Sequence, residues 1–427
     1  MTIVYVLAFA WLLGKATLFR ERIPAGVPPD ERAHVSFVAY VGETGRLVPR
    51  YEEMKLLDDA GRFGPLSSYL PHPALYYAAL DGLVRLEGRD GGASLDAFTG
   101  RLRRASAALY AAAAALFLYL GWRRSAPLSE HVVYAAAIAT VPPLAFVGAA
   151  VNNDVLGFLS GGIALLGLTR WLAGRADAIT ATLVGAGLAL ALLSKLTAGL
   201  LVTLAVLGAL ALTRPFDSPG SKRRFALAAL PWLVLPALHF VPVLLRYGTP
   251  IPSLDVIHPG AVVRTAFVAG LPADPMTLVR WSVMIARILA TTWFSIVGHV
   301  WIPIGPHLEL VGPVALLALA AVGLIASGRG GPNDDRAGRT LARLGAGAFA
   351  LTLLLNLAWA YAGYAEAGRV GGINARYYLP VLPCLAIAAT VGFRRLAARP
   401  WHGALLAALL VLADASVTMR YLALFAR

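Results

Sequence analysis

The sequence is poor in charged residues and in cysteine. Only 14% of its 427 residues are Asp, Glu, Lys or Arg, against roughly 25% in ordinary soluble domains. Hydrophobic residues make up 58%, and the mean hydropathy is +0.69. This balance excludes a typical soluble enzyme, a disordered chain and a nucleic-acid-binding domain. The single cysteine, Cys384, lies in an apolar run and excludes a disulfide scaffold. The composition indicates a polytopic membrane protein.

Several catalytic motifs are also missing. The sequence has no HExxH, no cysteine–histidine zinc spacing, no Walker loop and no GxSxG elbow. Zinc proteolysis, ATP hydrolysis and serine esterase chemistry therefore lack support. No internal repeat and no pair of inverted halves with matching broken helices is visible, which counts against a secondary transporter.

Long apolar runs dominate what is present. A transmembrane helix needs about 20 mostly apolar residues, and eleven segments approach that length. These segments are 2–19, 105–122, 132–150, 155–172, 179–194, 197–213, 226–245, 311–327, 344–363, 379–393 and 404–420. The predicted fold is all-α: a single transmembrane domain over residues 1–427 with about 11 transmembrane helices.

The net charge of +14 is concentrated in five short connectors between these segments. Their basic residues are Arg123, Arg124, Arg170, Arg175, Arg214, Lys222, Arg223, Arg224, Arg329, Arg336, Arg339, Arg343, Arg394, Arg395 and Arg399. Their acidic residues are Glu130, Asp177, Asp217, Asp334 and Asp335. The positive-inside rule places all five connectors in the cytoplasm. Most of the net charge is thus a topology signal, and the cytoplasmic (inner) membrane is the expected location.

This topology leaves two long segments on the extracytoplasmic side. The first, 20–104, contains amphipathic stretches at 35–43 and 74–86, which predict helices on the outer membrane surface. The second, 246–310, contains the apolar stretch Trp281–Val300. We interpret that stretch as an interfacial or re-entrant helix, because a full crossing would place the basic connector after it outside.

Unusual polar residues gather on the same extracytoplasmic side. The clusters are Pro28–His34, Tyr69–Tyr77, Asn152–Asp154, Ser194–Lys195 and Arg369–Tyr378. Lys195 and Asp154 have few polar neighbours in sequence, and ionisable groups near membrane depth are costly unless they are paired. We expect them to pair with each other or with a charged ligand. The convergence of the clusters predicts an active site.

The residue types in these clusters suit one kind of chemistry. An acidic pair offers a general base. Arginine, lysine and histidine around it can stabilise a phosphate leaving group, and arginine can bind it bidentately. A carboxylate with cations at the outer membrane surface favours group transfer from a lipid-linked phosphate.

Two motifs carry a resemblance to a known superfamily. Asp30-Glu31, after the first span, resembles the Asp–Glu motif of protein O-mannosyltransferases and lipid A aminoarabinose transferases, which are GT-C glycosyltransferases. His72-Pro73-Ala74-Leu75 is similar to their His/Lys-Pro-Pro-Leu element, with Ala74 in place of the second proline. Together with Asn153-Asp154 and Arg376-Tyr377-Tyr378-Leu379-Pro380, the set more closely resembles a bacterial GT-C-like family of unassigned function.

The resemblance implies an integral membrane enzyme that transfers a sugar from a polyprenyl-phosphate donor by single displacement, with inversion at the sugar carbon. It assigns Asp30 as the base that activates the acceptor, with Glu31 as its neighbour or substitute. It places His72 and Arg376 at the donor phosphate. The expected partners are the donor, the bilayer, and an acceptor glycan, lipid or protein; nucleic acid is not expected.

The topology adds further candidates. Lys195 is expected at the donor phosphate, and Tyr76, Asn153, Asp154 and Tyr377 are expected to contact substrate. No cofactor is firmly implied. A divalent metal stays open, because oligosaccharide-transferring relatives need one. Asp30, Asp154 and His34 could supply its ligands.

Each site residue also has a purely structural interpretation. Asp30-Glu31 could be a solvated pair, His72 a helix cap, Asn152–Asp154 an N-cap, Lys195 a snorkelling side chain and Arg376 an interfacial anchor. Two other function classes remain as alternatives. One is a transporter or flippase of lipid-linked saccharides, and the other is a non-catalytic membrane scaffold.

Overall fold

The structure is a computed structural model that describes residues 1–28, 30–86, 94–213, 219–257, 276–295, 308–327, 335–367, 373–396 and 399–426. It is 79% helical. This confirms the prediction of an all-α polytopic membrane protein. Several positions named above lie outside the described residues: Arg214, Asp217, 296–300, Arg329, Asp334 and Arg369.

Sixteen α-helices follow one another along the described part of the chain. They are α1 (Thr2–Arg22), α2 (Glu31–Thr44), α3 (Leu75–Leu86), α4 (Leu95–Trp122), α5 (Leu128–Ala139), α6 (Pro142–Gly148), α7 (Asp154–Leu172), α8 (Ala178–Leu192), α9 (Leu196–Leu212), α10 (Pro219–Tyr247), α11 (Leu254–Ile257), α12 (Leu278–Phe294), α13 (Leu308–Ala326), α14 (Arg336–Ala367), α15 (Leu382–Leu396) and α16 (Trp401–Ala423). Two 3-10 segments, Tyr51–Glu53 and Ala375–Val381, accompany them.

Every predicted span falls on helical structure. Seven helices of the described chain are long and apolar enough to cross a membrane, and α5 and α6 make an eighth span if the pair is counted as one. The pair is bent by 53° because Pro142 and Pro143 have no N–H to continue the helix. Lys15 of α1 stabilises the break, since its Nζ donates to the carbonyl of Ala139 at 3.0 Å.

Helix α7 lies at the centre of the bundle and packs against α4, α8, α9 and α14. Small residues permit this close packing. A Cβ at Gly167 would lie 2.8 Å from the backbone nitrogen of Val184, and one at Gly187 would lie 2.7 Å from the Ala164 Cβ. Small residues at helix contacts are typical of membrane bundles, where the backbones approach closely. The first residue of α7 is Asp154, so this central helix positions a candidate site residue.

The first long segment folds against the bundle. Helices α2 and α3 cover the two predicted amphipathic stretches, and their location on the outer membrane surface stays a prediction. The Phe37 and Tyr77 rings stack between them with centroids 3.9 Å apart. A short antiparallel hairpin of β1 (Lys55–Leu57) and β2 (Phe63–Ser67) lies between the helices and was not predicted. Helix α4 begins before its predicted span, which shortens the non-helical part of this segment.

The stretch predicted as an interfacial or re-entrant helix is helical from Trp281 to Phe294. Helix α12 buries Trp281, whose ring meets Tyr361 of α14 edge-on with centroids 5.2 Å apart. Near its other end, Thr292 Oγ1 accepts a hydrogen bond from the backbone N–H of Ala375 at 3.0 Å. Helix α12 therefore helps to hold the 3-10 segment Ala375–Val381. Its placement in the interface stays a prediction.

Candidate active site

Asp30 directly precedes α2 in a strained conformation. Its φ is 61°, the one positive φ of a non-glycine residue in the described chain. Its side chain does not cap the helix, although aspartate favours that role. Instead, Oδ1 accepts a hydrogen bond from the Tyr69 hydroxyl at 2.8 Å, and Oδ2 lies 3.7 Å from Arg376 Nη2. The side chain is 28% exposed. Backbone strain of this kind clusters at functional sites, which supports Asp30 as a candidate site residue.

Arg376 lies between two carboxylates in the 3-10 segment Ala375–Val381. Its Nε lies 3.2 Å from Asp154 Oδ2, and its side chain is only 6% exposed. Nε and Nη1 nevertheless make no hydrogen bond within the described part of the chain. A buried donor without an acceptor is unfavourable. Nε already lies against the Asp154 carboxylate, so an added anion could accept a hydrogen bond from Nη1.

Asp154 also pairs with Lys195, at the start of α9. Lys195 Nζ donates to Asp154 Oδ1 at 2.9 Å, which confirms the predicted pairing. The ammonium group lies 3.9 Å from the centroid of the Tyr377 ring, within the range of a cation–π interaction. Asp154 therefore holds one cation near each of its oxygens. Tyr377 faces this cluster; its contact with substrate stays a prediction.

The two histidines of the first long segment stack beside the ion pairs. The His34 and His72 rings are 6.1 Å apart and nearly parallel, and His34 Nδ1 shares a hydrogen bond of 2.8 Å with the Tyr77 hydroxyl. Burial and the nearby charge of Lys195 lower the pKa of each imidazole to about 3. At neutral pH both rings are therefore uncharged and can offer hydrogen bonds but no positive charge.

Glu31 is turned away from this cluster. It is fully buried, and Arg103 of α4 binds it bidentately at 2.8 and 2.6 Å. Each carboxylate oxygen also accepts a backbone N–H, from Val151 at 3.0 Å and from Gly26 at 2.9 Å. Four donors occupy the carboxylate. The geometry does not support the expected role of Glu31 as a substitute base.

Tyr76 and Asn153 lie behind the cluster. Tyr76 is fully buried; its hydroxyl bonds Ser106 of α4 at 2.9 Å and accepts the backbone N–H of Asn152 at 3.0 Å. Asn153 is also fully buried and donates from Nδ2 to the carbonyl of Ser194 at 2.7 Å. These two residues support the turn that presents Asp154. The contact of Tyr76 with substrate stays a prediction; in the structure its hydroxyl is bonded to Ser106 and to the backbone of Asn152.

The N-cap interpretation of the Asn152–Asp154 cluster is not supported, because the N-cap residue of α7, Asn153, makes no side-chain cap hydrogen bond. Asn152 Oδ1 accepts the backbone N–H of Asp154 at 2.9 Å, which stabilises the turn that leads into the helix. Asp154 itself takes part in the ion pairs instead.

Two important residues were missed by the sequence analysis. Tyr69 was part of a predicted cluster but was not singled out, and Arg103 was not considered. A signal for Arg103 was available, because it stands two residues before the apolar run that begins at Ala105, and a buried charge near a membrane span requires a partner.

The open question of a metal can be tested against the side chains. Among the described residues, no group of three or more His, Cys, Asp or Glu side chains could hold a metal ion. Asp30, Asp154 and His34 thus form no such group there. The cations nearest the two carboxylates are Arg376 and Lys195.

The fold and the site define a polytopic membrane protein with an ion-paired polar site at one end of its helical bundle. No protein-family model matches the sequence, and no curated protein matches it. The chain is similar to ArnT from Cupriavidus metallidurans in the apo state, with 15% identity over 97% of this chain and 76% of that one, and a TM-score of 0.40.

It is also similar to ArnT from the same organism bound to undecaprenyl phosphate, with 14% identity over 97% of this chain and 77% of that one, and a TM-score of 0.37. ArnT is a GT-C aminoarabinose transferase.

Proposed function

We propose that the chain is an inverting glycosyltransferase that moves a sugar from a polyprenyl-phosphate donor to an acceptor on the extracytoplasmic side of the membrane. The observation that carries the proposal is the buried guanidinium of Arg376, whose Nη1 has no hydrogen-bond partner in the described chain while Nε lies against Asp154. Arginine is well matched to phosphate oxygens. The partly exposed carboxylate of Asp30 lies beside this guanidinium, with Oδ2 3.7 Å from Nη2, and would serve as the base.

The donor phosphate would contact Arg376, Lys195 and His72. The two cations are already held by Asp154, so they need little reorganisation when the phosphate arrives. We assign Asp154 a positioning role for that reason. His72 is uncharged at neutral pH and would contribute a hydrogen bond.

The transfer step would be a single displacement. An acceptor hydroxyl or amine attacks the anomeric carbon on the face opposite the phosphate, and its bond to that carbon forms as the carbon–oxygen bond to the phosphate breaks. The bonding electron pair leaves with the phosphate oxygen, where Arg376 stabilises the developing charge. The proton of the acceptor passes to Asp30. The hydrogen bond from Tyr69 orients the Asp30 carboxylate for this step.

Glu31 and Arg103 would act on the loop that carries Asp30. Arg103 donates to Glu31 and also to the carbonyls of Ile23 and Pro24, at 2.7 and 3.0 Å. These bonds tie the end of α1, the start of α2 and helix α4 together. We therefore propose that Glu31 positions Asp30 and takes no proton itself.

The expected sidedness is supported by the course of α7. This helix begins at Asp154 in the site and ends at Leu172, beside the basic connector with Arg170 and Arg175. The site and that connector lie at opposite ends of one helix. If the basic connectors face the cytoplasm, the site faces the other side, and a polyprenyl chain in the bilayer could deliver its phosphate there.

The flippase alternative would use ionisable groups within the spans. The described spans do contain such a pair, Lys15 of α1 and Asp414 of α16, at 2.6 Å. Their side chains are 5% and 0% exposed, and Trp11 Nε1 also donates to Asp414 at 2.7 Å. A closed, fully paired group of this kind lines no path for a headgroup. The transferase is the better supported function.

Donor turnover tests the proposal. Purified protein in nanodiscs would be mixed with a panel of radiolabelled polyprenyl-phosphate sugars and candidate acceptors, and released polyprenyl phosphate would be measured. We expect release by the wild type, and donor binding without release by Asp30→Asn. Asp59→Asn is the matched control, because Asp59 lies in the same segment and is 95% exposed. Failure to bind any donor would contradict the proposal, and donor movement between leaflets without release would support a flippase.

A further inference from the structure

A cavity of about 380 Å³ opens at the end of α7 opposite to Asp154. Helix α7 has 19 residues, so the two sites are separated by about 28 Å along it. Four arginines line the cavity, from the connectors after α4 and at the end of α7: Arg123, Arg124, Arg170 and Arg175. Asp335 is the one acidic residue among the described lining residues.

Two of the four arginines are fixed by neighbouring side chains. Arg124 donates to Asp335 at 3.0 Å and to Thr390 at 2.7 Å. Arg170 donates to Asp177 at 2.7 Å and to Thr180 at 3.2 Å. These bonds hold the two guanidinium groups at the wall of the cavity. They also use most of the nearby negative charge.

The other two arginines are exposed and form no ion pair with any described residue. The Arg123 guanidinium lies 5.7 Å from the Tyr119 ring centroid, and the structure gives the Arg175 side chain no described partner. Within the described residues, the cavity therefore has two cations that no nearby carboxylate compensates. An anionic ligand would compensate the charge of these two arginines.

Aromatic residues mark the depth of this cavity in the membrane. Trp122 adjoins Arg123, is exposed, and stacks on Tyr119 with ring centroids 5.9 Å apart. Exposed tryptophan and tyrosine at a helix end are typical of the headgroup level of a bilayer. Leu341 and Ile387 supply an apolar part of the wall. The cavity thus combines cations with apolar surface at the depth where phospholipid headgroups lie.

We propose that this cavity binds the phosphodiester headgroup of an anionic phospholipid in the cytoplasmic leaflet. Arg123 and Arg175 would contact the phosphate, while Arg124 and Arg170 form the fixed wall. Basic pockets between transmembrane helices on the cytoplasmic side suit such headgroups, and arginine binds phosphate bidentately. The volume is within the usual range of ligand cavities, roughly 300–1,000 Å³. The proposal is independent of the transferase reaction at the other end of α7.

Lipid retention measured by native mass spectrometry tests this site. The full chain would be titrated with phosphatidylglycerol and, separately, with phosphatidylcholine. We expect one retained phosphatidylglycerol per chain, and a loss of retention of about tenfold or more in Arg123→Gln/Arg175→Gln. Lys222→Gln/Arg223→Gln removes the same charge from exposed positions on α10 outside the cavity, and we expect it to bind like the wild type.

Several outcomes would overturn the proposal. Equal retention of phosphatidylcholine would remove the role of the headgroup charge, and an equal loss in both double variants would indicate attraction to net charge alone. Displacement of the lipid by millimolar inorganic phosphate would identify a free phosphate as the ligand. Resistance to that displacement supports the phospholipid. The measurement uses no sugar donor, so its result is separate from that of the turnover assay.

Discussion

Arg376 Nε lies 3.2 Å from Asp154 Oδ2, and this contact joins the 3-10 segment after α14 to the first residue of α7. The same carboxylate binds Lys195 from the start of α9. One buried acid thus fixes two cations that come from distant parts of the chain.

Removal of the Arg376 guanidinium should abolish most of the turnover. We expect Arg376→Ala to lower the release of polyprenyl phosphate by about 10²-fold or more, the usual effect of losing one charge-stabilising donor. Single-turnover kinetics would measure it. Arg62→Ala is the control, because Arg62 is 80% exposed in the first long segment. Turnover at the wild-type rate in a folded Arg376→Ala protein would contradict the assignment.

Glu31 and Arg103 should behave as one structural unit. Breaking a buried ion pair leaves an uncompensated charge and costs about 3–5 kcal/mol, so Glu31→Ala and Arg103→Ala should each lower the melting temperature markedly. The double variant should be little worse than either single variant, because the two residues share one interaction.

Asp30→Asn provides the comparison for the melting temperatures of the Glu31 and Arg103 variants. Asp30→Asn should leave the melting temperature near that of the wild type, since its side chain is partly exposed and caps no helix. Additive effects of the Glu31 and Arg103 substitutions, or a turnover defect in Glu31→Gln without any loss of stability, would favour a catalytic Glu31 instead.

Gly161 should be needed to seat the 3-10 segment that carries Arg376. A Cβ at this position of α7 would clash with the carbonyl oxygen of Pro380 and lie 2.8 Å from its Cβ. We therefore expect Gly161→Ala to displace the segment and to weaken both donor binding and turnover, measured by titration and by the release assay. Gly347→Ala on α14 meets nothing within 4 Å and serves as the control. Unchanged donor binding in Gly161→Ala would count against this packing role.

Acid should destabilise the protein through its stacked histidines. The pKa of His34 and of His72 is lowered from 6.5 to about 3 in the folded chain. Between these values the unfolded chain binds more protons than the folded one, so stability is present above pH 6.5 and decreases as the pH falls toward 3. Melting temperatures recorded from pH 7.5 to pH 4.5 would show the decline.

The variant His34→Gln/His72→Gln should reduce that pH dependence, because the two groups no longer titrate on unfolding. His402→Gln, on α16 and outside the site, provides the comparison. If both proteins decline as steeply as the wild type, other groups cause the acid sensitivity.

The helical plan of the protein could be predicted from the sequence because its causes are local. A run of apolar residues long enough to cross a bilayer must form a helix to satisfy its own backbone, and all eleven predicted spans coincide with helices. The Lys195–Asp154 pair was predictable for a related reason: a charge in apolar surroundings requires a partner.

The tertiary structure alone decided which members of the site face one another. Asp30 and Glu31 are adjacent and chemically alike, and no local pattern distinguishes them. Glu31 points inward because it binds Arg103, 72 residues further along the chain, while Asp30 faces Arg376. Tyr76 is likewise withdrawn from the site by Ser106 and the backbone of Asn152. The orientation of these side chains depends on hydrogen-bond partners that are remote in sequence. The length of an apolar span, in contrast, can be read from consecutive residues.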